Sequence, residues 1–414
     1  MMKLSEELKK RGLLHNHTPN IEKALDEEKP TFYIGADPTA DSLHLGNLLG
    51  YITARRLVDA GLKAILIVGG GTARIGDPKP DAERTLLEEE VLEKNTKAIT
   101  KQVKKLLDSP DVSVVNNYEW LASFKLIEFL RDIGKNFTVN NLIKKDAIAE
   151  RLKSDIGLSY TEFAYPLLQA TDFLELYKRY NCKMQIGGSD QWGNIVAGID
   201  LIRKKEGAEA HAFTFPLLVD KASNKKFGKS EGNAIWLDEN KTSVYSFYQF
   251  LLNSSDEMVE ELLFKLTLLP IEQIKEVIAK WQKEPHKRLA QKTLAFEVTK
   301  YVHGESKAQA AQTVSEILFG STDTLNDLDK QSKQMLLQEA PSFSVVELPD
   351  EFTDALVYIK LASSKREAKE FIQNGAIKVW GQKVDFDFDL KNAEFKNGLL
   401  LVKRGKKNLV VLYK

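Results

Sequence analysis

Residues 31–51 read Thr-Phe-Tyr-Ile-Gly-Ala-Asp-Pro-Thr-Ala-Asp-Ser-Leu-His-Leu-Gly-Asn-Leu-Leu-Gly-Tyr, and the periodicity changes partway along. Thr31 to Ile34 is β-branched and aromatic, which predicts a strand. Leu45, Leu48, Leu49 and Ile52 recur at the spacing of one buried helical face, so a helix follows and runs towards Gly61, which stops it. Between the two, Pro38 cannot join a ladder, and Asp41 or Ser42 can cap the helix. The N–H groups of such a first turn face outward above the sheet and suit a phosphate. His44 and Asn47 lie three apart on one helix face, with Gly46 between them leaving space for a close, flat ligand.

An ordinary strand-to-helix turn with a satisfied surface histidine would account for His44 alone. The next segments extend the pattern. Lys63 to Val68 is a short apolar run, predicting a second strand parallel to the first in a βαβ unit with ligand loops at the strand ends. It ends in Gly69-Gly70-Gly71, which invites two phosphate-loop readings. A dinucleotide fingerprint needs Gly or Ala where Arg74 stands, and a P-loop needs Lys where Asp77 stands. Both fail, so the glycines are expected to let backbone approach a ligand.

A helix is expected over Thr85 to Leu107, a third strand over Val112 to Val115, and a helix from Glu119 to Gly134 with Leu121, Phe124, Ile127 and Leu130 periodic. Pro166 opens a helical segment that turns Tyr165, Gln169 and Asp172 to one side. A buried aspartate there needs a reason. Met184 to Ile186 is a strand leading into Gly187-Gly188-Ser189-Asp190-Gln191-Trp192, where Asp190 alone could be a helix cap. Phe213 to Val219 is the last strand expected. The Lys-rich loop after it contains Lys226-Phe-Gly-Lys-Ser230 and looks anion-seeking; it is no P-loop, because that motif's first glycine would fall at Ser223.

At 414 residues the chain exceeds one typical domain, so two or three are expected. It has no apolar run long enough to span a bilayer, and Lys3, Glu6, Glu7, Lys9 and Lys10 replace the apolar core of a signal peptide, which predicts a cytosolic protein. The single Cys182 excludes an internal disulfide and a multi-cysteine zinc site, and is expected to pack in a strand. Net charge is zero, yet residues 351–414 hold thirteen Lys/Arg against eight Asp/Glu. A basic tail on an acidic body points to a polyanion partner.

Ser243 to Phe319 reads as helix throughout, Thr322 to Pro349 as a linker with some helix. Beyond it come two short helices, Asp354 to Leu361 and Ser364 to Gln373, then a hairpin over Ile377 to Val384 turning at Gly381.

The run from Tyr33 through Asp37-Pro-Thr-Ala-Asp-Ser-Leu-His-Leu-Gly-Asn47 resembles the His-x-Gly-His signature region of class I aminoacyl-tRNA synthetases, in its tyrosyl form. Gly69 to Pro78, Tyr165-x3-Gln169-x2-Asp172, Gly187 to Trp192 and Lys226 to Ser230 follow in the order and spacing of bacterial tyrosyl-tRNA synthetases. The tail is similar to the small RNA-binding module shared with ribosomal protein S4. The resemblance implies an α/β fold: a Rossmann-like parallel-sheet catalytic domain over 1–232, a helical domain over 233–325, a linker over 326–350 and an S4-like α+β RNA-binding domain over 351–414. It also implies activation of L-tyrosine by ATP to tyrosyl-adenylate, transfer to tRNA(Tyr), and a homodimer. Mg²⁺ would arrive on the ATP phosphates, with no tightly bound cofactor and no dedicated protein metal site.

Carried over position by position, the resemblance implies that Thr39, His44 and Asn47 meet the ATP phosphates. Lys226, Lys229 and Ser230 would close over the pyrophosphate, with Lys79 and Arg84 as further pyrophosphate ligands. Asp37 and Asp190 would accept ribose hydroxyls, while Gly35, Gly46 and Gly188 let backbone approach the nucleoside. Tyr33 and Asp172 would hold the substrate phenol, Tyr165, Gln169 and Asp77 its ammonium and Gln191 its carboxylate side, with Asn117 as a looser neighbour. Lys365, Arg366, Lys403, Arg404, Lys406 and Lys407 would face tRNA. The family's second histidine is Asn47 here, Ile34 replaces a residue often small or polar, and Gly50 removes a helix contact. Two rivals remain: a tryptophanyl-tRNA synthetase, against which Tyr33 with Asp172 argues, and a noncatalytic RNA-binding protein of the same fold.

Overall fold

In the computed structural model the described residues are 2–78, 82, 85–153, 155, 157–220, 227–230, 233–319, 328–405 and 408–414, with backbone alone at 146, 229, 230 and 233. They form two compact units, residues 1–242 with 255–290, and residues 243–254 with 291–414.

The first unit is built on five parallel strands, β1 (Thr31–Ala36), β2 (Ala64–Val68), β3 (Val112–Asn116), β4 (Cys182–Gly188) and β5 (His211–Phe215), in the order β3-β2-β1-β4-β5. The expected fifth strand was longer. It stops at Phe215 because Pro216 has no N–H to give the ladder. β2 is buried along its whole length, as a strand covered by helices on both faces must be. Cys182 sits in the core with Tyr33, Phe173 and Leu201, where burial pushes its thiol up to about 12.

Leu45–Asp59 is the expected helix, but its N-cap is His44 and not Asp41 or Ser42. Ser42 instead donates its hydroxyl to the Leu43 carbonyl and accepts from Gln102, while Asp41 pairs with Lys241. Gly50 makes room: a β-carbon there would lie 2.9 Å from Ile34 Cδ1 and 3.0 Å from the Phe215 ring. The larger Ile34 is therefore accommodated by the absent side chain at 50.

Three expected helices have other bounds. The helix of residues 85–107 begins only at Glu89. Glu119 to Gly134 divides into Tyr118–Leu121 and Leu126–Asp132, breaking at Ser123-Phe124. The helix expected to open at Pro166 runs from Tyr160 to Tyr180 with the proline inside, because the Ser159 hydroxyl accepts the Glu162 N–H and starts it earlier.

Beyond residue 242 the expected helices appear as Val244–Leu252, Asp256–Leu266, Ile271–Lys283, Leu289–His303 and Glu305–Phe319. Asp256–Leu266 packs on Leu45–Asp59 in the first unit, and Val244–Leu252 packs on Glu305–Phe319 in the second. After β5 the first unit holds a short antiparallel pair, β6 (Lys229–Ser230) with β7 (Asn233–Ala234). Within 326–350 lie a helix, Lys330–Glu339, and a strand, β8 (Ser342–Ser344). The second unit's sheet has the order β10-β9-β11-β12-β8, with β9 (Ile377–Val379), β10 (Gln382–Lys383), β11 (Leu399–Arg404) and β12 (Asn408–Tyr413). Trp380 and Gly381 carry the hairpin turn at φ 51° and 79°, both in the left-handed region such a two-residue turn demands.

Candidate active site

An open parallel sheet offers its ligand crevice where neighbouring strands send their connections to opposite sides. Here that point lies between β1 and β4, and a cavity of about 460 Å³ opens there. Tyr33, Asp77, Asn117, Tyr165, Gln169, Asp172 and Gln191 line it, together with Gly35, Asp37, Thr39, His44, Gly46, Asn47, Gly188 and Asp190. Lys79, Arg84 and Lys226 lie outside the described residues, and Lys229 and Ser230 are described in backbone only.

At the deep end Asp172 is buried, its two oxygens accepting Trp120 Nε1–H at 2.8 Å and Asn117 Nδ2–H at 2.9 Å. Burial raises its carboxyl to about 7, against the lowering effect of those two donors. Tyr33 is 2% exposed and its hydroxyl has no hydrogen-bond partner among the described residues. Burial and the neighbouring Asp172 hold its phenol well above the usual range, so it stays an O–H donor. A buried hydroxyl and a buried carboxylate facing one cavity suit a ligand group that both accepts and donates, such as another phenol.

Asn117 is more firmly held than a loose neighbour. Its Nδ2 also donates to Thr72 Oγ1 at 2.9 Å and its Oδ1 accepts Gly71 N–H at 2.7 Å. Thr72 in turn donates to Asp37 Oδ1 at 2.6 Å, and Tyr165 donates to Asp37 Oδ2 at 2.9 Å. One hydrogen-bonded chain thus joins Asp172 to Asp37 across the cavity floor. Burial and the nearby aspartates keep the Tyr165 phenol protonated, as its donor role requires.

On the opposite wall Gln191 Nε2 donates to Asp77 Oδ2 at 3.1 Å, and Asn194 Nδ2 donates to Gln169 Oε1 at 3.1 Å. Asn194 was missed in the sequence, lying two residues past the quoted Gly187 to Trp192 run. Thr72, Trp120 and Gln185 were missed as well. Gln185 had a signal, a lone amide in an apolar strand two residues before Gly187 and so on the same face. It pairs in register with Tyr33, and its buried Oε1 has no hydrogen-bond partner among the described residues.

Several reasons given for these residues change. The N–H groups of the first helical turn are partly engaged: Leu45 N–H donates to the Ile235 carbonyl at 2.7 Å, and Asn47 Oδ1 accepts His44 N–H at 3.1 Å. A β-carbon at Gly46 would meet the His44 ring at 3.0 Å and the Phe227 carbonyl at 3.5 Å, so this glycine admits protein as much as ligand. Gly228, at φ +94°, stands against it: a β-carbon there would lie 2.9 Å from Gly46 N. The triple glycine also serves protein contacts, with Asp37 and Thr72 against Gly69, Asn116 against Gly70, and Leu121 against Gly71. Asp190 caps no helix; it lies in a 3₁₀ turn and Gln191 is the cap of Trp192–Glu206.

In the basic tail, Lys365 pairs with Asp354 at 2.7 Å and the Arg404 guanidinium lies 4.8 Å from the Phe371 ring centroid. Arg366 follows Lys365 in the first turn of Lys365–Gln373, Lys403 precedes Arg404 on β11, and Lys406 and Lys407 lie outside the described residues.

Comparison with known proteins gives a consistent result. Residues 25–320 match the family model of class I tRNA synthetases (W and Y), and residues 331–412 match the tyrosine–tRNA ligase SYY-like C-terminal domain. The tyrosine–tRNA ligase of Leuconostoc mesenteroides is 46% identical over 98% of both chains, and that of Lactococcus lactis subsp. cremoris 44% identical over 100% of both. The C-terminally truncated mitochondrial tyrosyl-tRNA synthetase of Aspergillus nidulans superposes with a TM-score of 0.71 at 30% identity, covering 77% of this chain and 95% of that one.

Proposed function

Because this chain belongs to the tyrosyl-tRNA synthetase family of class I, we propose that the cavity between β1 and β4 is where it joins tyrosine to ATP. The protein is a tyrosine–tRNA ligase: it activates tyrosine with ATP to tyrosyl-adenylate and passes the tyrosyl group to the 3′ end of tRNA(Tyr). The observation that carries the assignment of the cavity is the buried pair of Tyr33 and Asp172 at its deep end.

In this reading the substrate phenol accepts from Tyr33 and donates to Asp172. Tyr165, Gln169 and Asp77 receive the ammonium, and Gln191 the carboxylate side, with Gln185 beside Tyr33. The carboxylate reaches from there to the α-phosphate of an ATP whose ribose hydroxyls Asp37 and Asp190 accept. In-line attack on the α-phosphate needs no acid–base pair. It needs donors set in place where charge builds on the phosphorane and the departing pyrophosphate. Thr39, His44 and Asn47 supply these from one side, and Lys226, Lys229 and Ser230 from the other. Mg²⁺ enters as a companion of ATP, bound to phosphate oxygens. Lys365, Arg366, Lys403 and Arg404 on the basic tail, with Lys406 and Lys407, are assigned to tRNA contact.

A homodimer is also part of the proposal. Leu126, Ile127 and Tyr160 are 71%, 72% and 71% exposed, with Val139 and Leu152 exposed beside them in sequence. Apolar exposure of that extent suits a subunit interface. The partner is a second copy of this chain, and sedimentation at micromolar concentration tests it.

Labelled pyrophosphate should exchange into ATP when tyrosine is supplied, and at background with phenylalanine or tryptophan. Equal exchange with phenylalanine would remove the assignment of Tyr33 and Asp172. The raised carboxyl of Asp172 adds a pH signature. A phenol donating to it favours the carboxylate, so tyrosine binding expels the proton held below pH 7. Affinity therefore rises with pH and levels off once the carboxyl has ionised unaided. Tyrosine should bind about tenfold more weakly at pH 6 than at pH 8, with the slope lost in Asp172→Asn. Calorimetry in two buffers of different ionisation enthalpy reads the released proton directly; a flat profile contradicts the assignment.

A further inference from the structure

The strand segment downstream of the second signature returns to the first. Leu45 N–H donates to the Ile235 carbonyl at 2.7 Å, Leu237 N–H donates to the Leu43 carbonyl at 2.9 Å, and His44 and Trp236 face each other between these bonds as an antiparallel bridge. Flanked in this way they form a non-hydrogen-bonded pair, the arrangement in which opposed side chains lie closest. Their rings meet edge to face, centroids 6.2 Å apart at 62°. The indole is itself fixed: its backbone N–H donates to Thr242 Oγ1 at 3.0 Å, and the Lys241 ammonium stands 5.0 Å from the ring centroid while paired with Asp41.

We propose that Trp236 is a positioning residue for adenylate formation, holding the His44 imidazole at the angle from which it meets the ATP phosphates. The inference rests on the reading that His44 contacts those phosphates. It adds a residue outside both signatures and assigns the Asp41–Lys241 pair the task of holding the indole. The His44 imidazole closes a capping box with the Asn47 backbone N–H, and one hydrogen bond leaves the tilt of a ring about that bond to be set by packing. The edge-to-face contact supplies that packing, and orientation within a fraction of an ångström is what transition-state stabilisation depends on.

The test compares Trp236→Phe, which keeps an aromatic face, with Trp236→Leu, which keeps bulk alone, each in the parent and in a His44→Ala background. Tyrosine-dependent pyrophosphate exchange and tyrosine affinity without ATP are measured on the same preparations. His44→Ala should lower kcat by about 10²-fold. Trp236→Leu should lower it about tenfold with tyrosine affinity within about twofold of the parent, and Trp236→Phe should stay within about threefold. In the His44→Ala background Trp236→Leu should cost less than about twofold more, as coupled residues require.

Equal loss in the Leu and Phe variants, a Leu effect undiminished without His44, or tyrosine affinity falling with kcat would each overturn the proposal in favour of simple packing. Unimpaired exchange in His44→Ala would instead refute the reading of His44, and the inference with it.

Discussion

Replacing Lys229 with alanine is expected to slow tyrosine-dependent pyrophosphate exchange by about 10²–10³ while leaving tyrosine affinity unchanged. In the proposed placement tyrosine occupies the deep end of the cavity, at Tyr33 and Asp172, whereas Gly228, next to Lys229, stands against Gly46 in the first signature helix. Lys229 lies in β6 (Lys229–Ser230), which pairs with β7 (Asn233–Ala234), and the Gly228 carbonyl accepts Ile235 N–H at 2.9 Å. Upstream, Phe227 N–H donates to the Leu218 carbonyl at 2.9 Å. A cation delivered from this hairpin meets charge that exists mainly while the α-phosphate bond is breaking, so its removal should appear in kcat more than in ground-state binding. Pre-steady-state adenylate formation, followed alongside equilibrium dialysis of tyrosine, separates the two. A rate within tenfold of the parent would remove Lys229 from the reaction.

Asp172→Ala should act on the choice of amino acid. Its carboxylate accepts from Trp120 and Asn117, and in the proposed placement from the substrate phenol as well. Removing it leaves the substrate's own buried O–H without a charged acceptor in the complex, a loss of about 3–4 kcal/mol, so kcat/KM for tyrosine should fall by about 10³, whereas Trp120 and Asn117 lose their acceptor in free and bound enzyme alike. Phenylalanine, which never used the acceptor, should lose far less. Tyrosyl-tRNA synthetases are themselves the standing example of discrimination by such a site, at about 10⁵ against phenylalanine, whereas an apolar pocket resolves one hydroxyl by only about 10². The variant should therefore prefer tyrosine by less than about 10². Exchange with both amino acids on one preparation measures the ratio; a preference above 10⁴ would show that the discrimination lies elsewhere.

Much of this arrangement is legible in the linear sequence because the residues that carry chemistry also punctuate the fold. Pro38, the glycines after β2 and those that close β4 mark strand ends, and in an open parallel sheet strand ends are where a crevice forms. Misreadings arose where a local rule competed with another signal. Pro166 argues for a helix start, yet Ser159-x-x-Glu162 is itself a helix-opening pattern and prevailed six residues earlier. Asp41 and Ser42 are better capping residues than His44 by composition, but the ion pair of Asp41 with Lys241 and the hydrogen bond of Ser42 to Gln102 come from parts of the chain far away in sequence. The apolar repeat at Leu121, Phe124, Ile127 and Leu130 fixes a periodicity without saying what covers it, and Ile127 faces outward. The chain from Asp172 through Asn117 and Thr72 to Asp37 draws on four separate segments, and no spacing within any one of them announces it.

The contact of Gly46 with Gly228 bears on how such a chain can vary over generations. The stretches that hold these glycines are separated by most of the first unit, yet a β-carbon at Gly228 would lie 2.9 Å from Gly46 N, one at Gly46 would lie 3.0 Å from the His44 ring, and the φ of +94° at Gly228 further excludes ordinary residues. The intervening segments can diverge, lengthen or be exchanged between lineages by recombination. A crossover falling between the two is tolerated only when the incoming piece restores a bare backbone against its counterpart. Heredity therefore treats two distant signatures as one locus.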